Sequence, residues 1–563
     1  MTSAVLPLQD KAPAIAPAQA HEDSTSYATP AGALLILLVL QISLVFTRAI
    51  NWDEYSYFRE VAQFTQGELG RPLQTIHVRL FAWLPGMFQT STDHIVFARI
   101  FMFVCELVTI GCIIAIARRF ASTATALFAA LAYVSAGYVL QHGTSFRVDP
   151  ILTALLCSSL AVLATARLRL PAIIGFGVLA GLAAMVSVKA VLYAPAFAGI
   201  AIWRWQKTDW SRPEFVRLAG CAIAAMVSFA AIYMLHAQGV TSASGASGST
   251  QKVVSTAGNW AFFFGTPPYW RMAVKAAFTA PILAIMIAVL PAILWRSDMP
   301  AGRKIAFAGL WLPITSILFY TNTAGYFYVY ILAPLAIACV PAIEFLTKRY
   351  SARILALVLL VTGSGIWLIE DRELIDRQRQ VEMNVHEVFA EPVTYFDHNY
   401  MLGGWPKANN FLTPWGINAY QSAGLPAYRE AMQARVVPLF LANHSLLEES
   451  IRGQRRDIFF PQDIAALQDN YIEFSWPIWV AGKDFSARQG TFTEEFLVPG
   501  TYTVEGGAIE VDGNALVDGE TVHIARGDHE ITVPADQQPR LVWGDHLPLP
   551  SQELESGELY VEF

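Results

Sequence analysis

The feature that most constrains this chain is its long runs of apolar residues. Segments such as AGALLILLVLQISLVF, IVFARIFMFVCELVTIGCIIAIA and FTAPILAIMIAVLPAILW are long enough to cross a lipid bilayer as helices. Only 15% of the 563 residues are charged, whereas soluble proteins have about a quarter. The sequence therefore predicts a polytopic α-helical membrane domain.

Basic residues indicate how the apolar segments are oriented. We predict about eleven spans, at roughly 31–48, 95–117, 121–140, 150–166, 171–187, 190–203, 214–236, 273–295, 304–320, 326–346 and 352–369. Lys and Arg concentrate in alternate loops, as they do in loops that face the cytoplasm. This pattern predicts a bacterial inner-membrane protein with a cytoplasmic N-terminus and a C-terminal domain on the periplasmic or extracellular face.

The apolar stretch at 171–203 contains one charged residue, Lys189. It is too long for one straight span, and a single span would place the basic loop that follows on the external face. Two short helices that meet near Lys189 keep the charge pattern. We therefore expect Lys189 at the external end of such a pair.

Composition divides the chain into regions of different character. We predict a disordered tail at 1–30, a transmembrane domain at 31–369 with a large external loop at 49–94, a soluble α/β region at 370–485 and a small antiparallel β domain at 486–563. The turn spacing of the last region weakly resembles that of PEGA-type surface modules. Its role stays open between covering a site, binding an acceptor and a purely structural lid.

The membrane and soluble parts also differ in charge. From Glu370 onward the chain has 31 of its 45 acidic and 13 of its 38 basic residues, a net charge of −18, whereas the preceding part carries +11. No basic patch alternates with aromatic residues, so no nucleic-acid partner is predicted. All five cysteines lie in apolar segments, so the soluble part depends on no disulfide.

The first external loop begins with two adjacent acids. In AINWDEYSYFRE, Asp53 and Glu54 directly follow the first span, and apolar residues then recur at helical spacing. This pattern predicts an amphipathic helix on the membrane surface that Gly70 and Pro72 end. Acids at this point either cap the helix or perform chemistry.

Groups that could perform chemistry recur in five loops that the charge pattern assigns to the external face. They are Asp53, Glu54, Arg59, His77 and Arg79; His142, Arg147 and Asp149; Lys189; Tyr269, Trp270 and Arg271; and Tyr326, Tyr328 and Tyr330. Acids beside bases and aromatic rings at membrane depth indicate a site for an anionic, partly apolar ligand.

Each of these features also has a structural explanation. Arg147 and Asp149 could anchor a span at the membrane interface, and Lys189 could mark a turn between two short helices. The tyrosines could form an aromatic belt. The convergence of all these groups on one face favours a site.

These motifs together resemble those of the GT-C superfamily of integral membrane glycosyltransferases, in particular the branch with protein O-mannosyltransferases and lipid A aminoarabinose transferases. The matching features are the acidic pair after the first span, RVDP at the start of a span, SVK within the short helix pair, TPPYW before another span and YFYVYILAP late in the membrane part. The resemblance covers about residues 31–345. Family members often have His or Lys followed by two prolines where this chain has His77-Val78-Arg79.

The resemblance implies an enzyme that takes a sugar from a polyprenyl-phosphate donor and passes it to an acceptor hydroxyl on the external face. The acceptor is a glycan, a lipid or a protein. Asp53 is then the candidate base. The other implied roles fall to Arg79, Lys189 and Arg147 as cations for the departing phosphate, to Glu54 and Asp149 in orienting the sugar or these cations, and to Tyr328 and Trp270 in packing against the sugar or the isoprene units. No cofactor is required, and a role for a divalent metal stays open.

Two other classes of function compete with an enzyme. A transporter or flippase of a lipid-linked sugar should show internal repeats and charges in the middle of several spans. A non-catalytic membrane partner would not need acids, cations and aromatics in five external loops. The sequence has no repeat that we detect, and most of its charges fall at span ends, so a glycosyltransferase is the favoured prediction.

Overall fold

The computed structural model describes residues 27–240, 263, 265–409 and 412–561, and the structural statements below concern these residues. Most of the tail predicted at 1–30 lies outside the described residues. The first helix begins at Ala28.

Helices make up the described part of the chain up to Ile369. In chain order they are α1 Ala28–Thr47, α2 Trp52–Thr65, α3 Val78–Phe81, α4 Ser91–Ala117, α5 Thr123–Val134, α6 Gly137–His142, α7 Val148–Thr165, α8 Leu170–Val186, α9 Ala194–Gln206, α10 Arg212–Ala237, α11 Trp270–Phe278, α12 Pro281–Arg296, α13 Ala301–Trp311, α14 Phe327–Ala338, α15 Val340–Arg349 and α16 Ala352–Ile369. Short 3₁₀ helices at Val188–Tyr193 and Leu312–Leu318 join α8 to α9 and extend α13.

Helices occupy all eleven segments predicted as spans, but they differ in length. Within the described residues, five helical segments are long and apolar enough to cross a membrane, or up to seven if each of two bent pairs is one span. The chain bends by 106° between α11 and α12, and by 60° between α14 and α15. The chain is therefore a helical membrane protein, and the count of eleven spans stays a prediction.

The apolar stretch around Lys189 folds as two helices. Helix α8 ends at Val186, and α9 begins at Ala194. The Ser187 hydroxyl accepts a hydrogen bond from the Lys189 amide and begins the 3₁₀ turn between them. The prediction of two short helices that meet near Lys189 is confirmed.

Helix α2 is the predicted amphipathic helix of the first loop. Asn51 and Glu54 form a reciprocal capping box. The Asn51 side chain accepts a hydrogen bond from the Asp53 amide, and the Glu54 side chain accepts one from the Asn51 amide. The predicted end at Gly70 is wrong, because Gly67 adopts a left-handed backbone with φ of +74° and α2 ends at Thr65. Its apolar residues, including Tyr55, are buried in the protein core.

The part of the chain after Ile369 contains two sheets. Its helices are α17 Leu374–Val388, α18 Pro414–Ala423, α19 Ala427–Ala434, α20 Ser445–Ile451 and α21 Pro461–Asn470. Its strands are β1 Tyr395–Phe396, β2 Leu439–Leu441, β3 Tyr471–Ser475, β4 Ile478–Asp484, β5 Gly490–Phe496, β6 Gly500–Glu505, β7 Ile509–Val511, β8 Asn514–Leu516, β9 Thr521–Ile524, β10 Gly527–Val533 and β11 Arg540–Trp543.

One of these sheets crosses the predicted domain boundary. Seven strands form a sheet in the order β1-β2-β4-β11-β6-β9, with β3 also paired to β4, and four form the order β5-β10-β7-β8. Strand β4 pairs with β2 on one edge and with β11 on the other. The division predicted between 485 and 486 therefore does not separate the sheets: the larger sheet is built from both regions.

The soluble part is joined to the first external loop by buried polar contacts. The Gln378 side chain of α17 accepts from the Ile50 amide and donates to the Ile50 carbonyl, both at 2.8 Å. The Glu382 carboxylate accepts hydrogen bonds from the first backbone amides of α4, where the helix dipole favours a negative charge. These contacts place the soluble part directly over the start of α2.

Candidate active site

Four charged side chains from three loops form a continuous charge chain at the start of α2. A guanidinium nitrogen of Arg147 pairs with the Asp53 carboxylate, and its Nε lies 3.3 Å from Oδ2 of Asp149. Oδ1 of Asp149 in turn accepts from Nζ of Lys189 at 2.7 Å. This charge chain of Asp53, Arg147, Asp149 and Lys189 combines two acids with two bases, so that each buried group has a partner of opposite charge type.

Exposure differs along the charge chain. The side chain of Asp149 is 1% exposed and that of Arg147 is 4% exposed, whereas Asp53 keeps 19% of its surface in contact with solvent. Asp53 is therefore the acid of the chain that a molecule from outside can reach.

Two tyrosines pack on the cations of the charge chain. The Arg147 guanidinium lies 3.5 Å from the ring centre of Tyr326 and 5.4 Å from that of Tyr57. Nζ of Lys189 lies 5.1 Å from the same Tyr326 ring. Contacts of this kind hold a buried cation over an electron-rich ring face. Burial raises the pKa of Tyr57, so its phenol stays neutral beside these charges.

Local structure fixes both cations. Arg147 has an extended backbone and directly precedes α7, so it lies at the amino-terminal end of that helix. Asp149 lies in the first turn of α7. The carbonyl of Lys189 accepts a hydrogen bond from the Tyr330 hydroxyl, and the Tyr330 carbonyl accepts from the Tyr193 hydroxyl, both at 2.5 Å. The RVDP, SVK and YFYVY motifs thus meet at one place.

All five loops singled out from the sequence contribute to this region. Tyr269 lies close enough to Asp53 that burial and the charge of this carboxylate raise the pKa of its phenol. Trp270, the first residue of α11, is half exposed, and Arg271 lies 5.8 Å from its ring centre.

Helix α14, which contains Tyr330, also contributes Tyr328 to an aromatic cluster. The rings of Tyr328 and Tyr138 stack with centres 5.3 Å apart, and Nζ of Lys275 lies 5.6 Å from the Tyr138 ring. The Tyr328 hydroxyl is buried, with no hydrogen-bond partner among the described residues. A buried donor of this kind is suited to a polar ligand group.

Glu54 has surroundings that differ from those of Asp53. It is fully buried, and its two oxygens accept from Arg99 at 2.6 and 2.8 Å, from the Phe146 amide at 2.6 Å and from the Asn51 amide at 3.1 Å. Four donors use the hydrogen-bonding capacity of a carboxylate. These contacts connect the start of α2 with α4 and with the loop before α7.

Three predicted site residues of the first loop contact residues outside the charge chain. Arg79 donates from Nε to the His236 ring at 2.8 Å and from a terminal nitrogen to the His236 carbonyl at 3.2 Å, at the end of α10. Arg59 donates to the Gly403 carbonyl of the soluble part. His77 lies 3.4 Å from a carboxylate oxygen of Glu60, and burial lowers the pKa of its ring.

The carboxylates of the charge chain do not fit a divalent metal. Among the described residues, no group of three or more His, Cys, Asp or Glu side chains is arranged to hold an ion. Arg147 lies between Asp53 and Asp149, the place that a metal shared by these two carboxylates would take. The positive charge beside these two carboxylates is that of the Arg147 and Lys189 side chains.

Sequence reasoning missed residues that shape this region. Arg99 lies inside an apolar run, and a charge within a span was itself a signal of a buried partner. Tyr57 and Lys275 gave weaker signals, because aromatic and basic residues are common near membrane surfaces. Their roles depend on neighbours that are distant in sequence.

Comparison with known proteins agrees with the fold described above. A family model described as dolichyl-phosphate-mannose-protein mannosyltransferase matches residues 79–234. The structure of ArnT from Cupriavidus metallidurans bound to undecaprenyl phosphate is similar to this chain at a TM-score of 0.52 and 12% identity, over 77% of this chain and 96% of that chain. The apo structure of the same protein gives a TM-score of 0.52 at 12% identity, over 80% and 97%. No curated protein matches the chain.

The two structural matches extend over both the membrane and the soluble parts, because they cover 77% and 80% of the chain. At 12% identity, the structural match establishes a shared fold. The family match covers the segment from the return into the second span to the end of α10, which includes the RVDP and SVK motifs. The resemblance of this chain to the GT-C superfamily of membrane glycosyltransferases is thereby confirmed.

Proposed function

We propose that this protein is a glycosyltransferase that moves a sugar from a polyprenyl-phosphate donor to an acceptor hydroxyl on the external face of a bacterial inner membrane. The observation that carries the proposal is the charge chain, in which a partly exposed carboxylate, Asp53, pairs with buried Arg147 and is linked through Asp149 to buried Lys189. The donor class is supported by the fold match to ArnT, which was solved with undecaprenyl phosphate.

The reaction that fits these groups is a single displacement with inversion at C1 of the sugar. Asp53 removes the proton of the acceptor hydroxyl while the acceptor oxygen forms a bond to C1. The bond between C1 and the phosphate oxygen breaks, and its electron pair stays on the phosphate. Because the phosphate is a good leaving group, it needs positive charge rather than a proton.

Arg147 and Lys189 supply that charge. The donor phosphate carries one negative charge before the reaction and gains a second as its bond to C1 breaks. Fixed cations therefore stabilise the transition state more than the ground state. Their burial strengthens this effect, since water does not screen them. Asp149 contacts both cations and orients them.

The ion pair of Asp53 with Arg147 explains why the donor binds before Asp53 accepts the proton of the acceptor. While Arg147 pairs with Asp53, the guanidinium occupies a carboxylate oxygen that would otherwise receive the proton of the acceptor. A donor phosphate that binds Arg147 competes with Asp53 for the guanidinium. Donor binding then releases Asp53 to accept a proton from the acceptor.

Asp53→Asn tests the role of the base. With a radiolabelled polyprenyl-phosphate sugar and an envelope glycan fraction as acceptor, we expect the transfer rate to fall by about 10²- to 10⁴-fold, the usual contribution of a general base. Glu68→Gln is the matched control, because Glu68 lies in the same loop with a side chain that is 58% exposed and an ion pair to Arg59. It is expected to keep the activity of the wild type.

Two results would overturn this assignment. Transfer by Asp53→Asn at the wild-type rate, with normal protein levels, would remove Asp53 as the base. Proteoliposomes that move the intact labelled donor across the bilayer, without forming a glycosylated product, would instead favour a flippase.

A further inference from the structure

A cavity borders α2 on the side of the soluble part. It measures about 330 Å³, and its lining includes Trp52, His444, Glu448, Glu558 and Tyr560. Its size is within the range of small-ligand sites, about 300–1,000 Å³. We call it the β-edge cavity, for the sheet edge that it adjoins.

The topology of the larger sheet explains where the β-edge cavity forms. Strands β1 and β2 are parallel neighbours, with Tyr395 opposite Leu439. Their carboxyl ends therefore open at the same edge, which is where ligands bind in parallel sheets. The residues that follow these strands are polar, and they include His398 after β1 and His444 after β2.

Four rings meet at this edge. The imidazoles of His398 and His444 stack with centres 4.0 Å apart. The indole of Trp52 lies 5.8 Å from the His398 ring, 6.3 Å from the His444 ring and 6.3 Å from the Tyr560 ring. Trp52 is the first residue of α2 and precedes Asp53, so their Cα atoms are about 3.8 Å apart.

The lining of the β-edge cavity has the opposite charge character to the charge chain. It includes two carboxylates, Glu448 and Glu558, and no Lys or Arg. Burial lowers the pKa of His444 to about 4, so at neutral pH its ring is uncharged; Nδ1 accepts from the Leu446 amide, which leaves Nε2 as a donor. A phosphate or a uronate would be repelled here, whereas a group with many hydroxyls finds acceptors, donors and an aromatic face.

We propose that the β-edge cavity binds an uncharged sugar unit of a glycan acceptor, packed on Trp52, so that a neighbouring hydroxyl reaches Asp53. The inference rests on the proposed function and makes it more specific, since it selects a glycan among the acceptor classes. An acceptor that enters over the soluble part meets Asp53 from one side of α2. The donor phosphate meets Arg147 from the other.

Transfer kinetics with the full-length protein in nanodiscs test this inference. With a neutral oligosaccharide acceptor, Trp52→Ala and Glu448→Gln are each expected to raise the acceptor KM about tenfold, the loss of one stacking contact or one charged hydrogen bond. The donor KM should stay within about twofold in both. Glu448→Gln keeps the side-chain size, so its acceptor KM still tests the proposal if Trp52→Ala folds poorly.

Glu449→Gln is the matched control. Glu449 follows Glu448 on α20 and forms an ion pair with Arg455, just as Glu448 pairs with Arg452. It does not belong to the lining of the β-edge cavity. Its acceptor KM should equal that of the wild type.

Saturation-transfer NMR on the same nanodiscs, without donor, distinguishes the acceptor classes. We expect a neutral oligosaccharide to bind, and its signal to weaken in Glu448→Gln. Selective binding of an oligosaccharide rich in uronic acid, or of a Ser/Thr-containing peptide, would overturn the proposal, as would unchanged acceptor KM in both cavity variants. Failure of the proposed function looks different, because the wild type would then not consume the donor with any acceptor.

Discussion

Asp53 and Glu54 are adjacent carboxylates, yet they lie in two different regions of the molecule. Asp53 is partly exposed and pairs with Arg147 at the head of the charge chain. Glu54 is fully buried and is enclosed by Arg99 and two backbone amides. Successive residues of a helix point about 100° apart, so a rotation of less than one third of a turn around α2 separates the proposed base from a buried carboxylate.

This difference shows that two adjacent acids at the start of a helix need not have the same role. Glu54 has no oxygen left to contact a sugar, since four donors occupy it. Its contacts instead hold α2, α4 and the loop before α7 together. We therefore propose Glu54 as a positioning residue for Asp53, which refines its predicted role in orienting the sugar.

The largest expected effect comes from breaking the buried pair. Glu54→Gln leaves the buried Arg99 charge without its partner, which typically costs about 3–5 kcal/mol. We expect a large fall in thermal stability and in the yield of folded protein, measured by unfolding in detergent. Asp53→Asn, by contrast, should lower activity and leave the unfolding temperature nearly unchanged.

A second substitution checks the cause of that loss. Glu54→Gln combined with Arg99→Met removes the unpaired charge and should recover part of the stability. If Glu54→Gln is as stable as the wild type but inactive, the two regions do not differ as described, and Glu54 acts directly in the reaction.

The cations of the two regions should differ in the same way. Lys189→Met removes a charge from the charge chain and should lower kcat/KM for the donor by about 10²-fold. Arg79→Met removes a cation that contacts the end of α10, so it should cost about 1 kcal/mol of stability and leave the donor KM within about threefold. An equal donor defect in both variants would return Arg79 to its predicted role at the phosphate.

The smallest expected effect concerns the histidine beside Trp52. Because burial lowers the pKa of His444 from 6.5 to about 4, the unfolded chain binds a proton between these values that the folded chain does not. Stability should therefore fall as pH drops from 6.5 towards 4, and this contribution should be constant above 6.5. His444→Asn keeps a side-chain acceptor at the start of α20 and should flatten the fall, as measured by unfolding temperature at several pH values.

Many of these groups were predictable from sequence because their signals were local. The acid pair, RVDP, SVK and YFYVY motifs each follow or begin an apolar segment, and the charge pattern of the loops put them on one face. Lys189 was placed at a helix break by length and charge alone, and the structure has that break. Periodicity likewise predicted α2.

The rest depended on contacts between distant residues. Glu54 and Arg99 are 45 positions apart, and Arg79 and His236 are 157 positions apart, so no local pattern reveals either contact. The continuous sheet through β4 joins strands from both sides of the predicted boundary at 485/486, and pairing of this kind is set by tertiary structure. The β-edge cavity likewise arises only where the start of α2, the residues after β2 and the segment 556–560 meet.

One measurement tests the central claim most directly: a cryo-EM structure of the protein in nanodiscs with a polyprenyl phosphate. We predict phosphate density in contact with Arg147 and Lys189, with the Asp53 carboxylate released from the guanidinium. Phosphate bound elsewhere, for example beside Arg79, with the pair of Asp53 and Arg147 intact, would contradict the account.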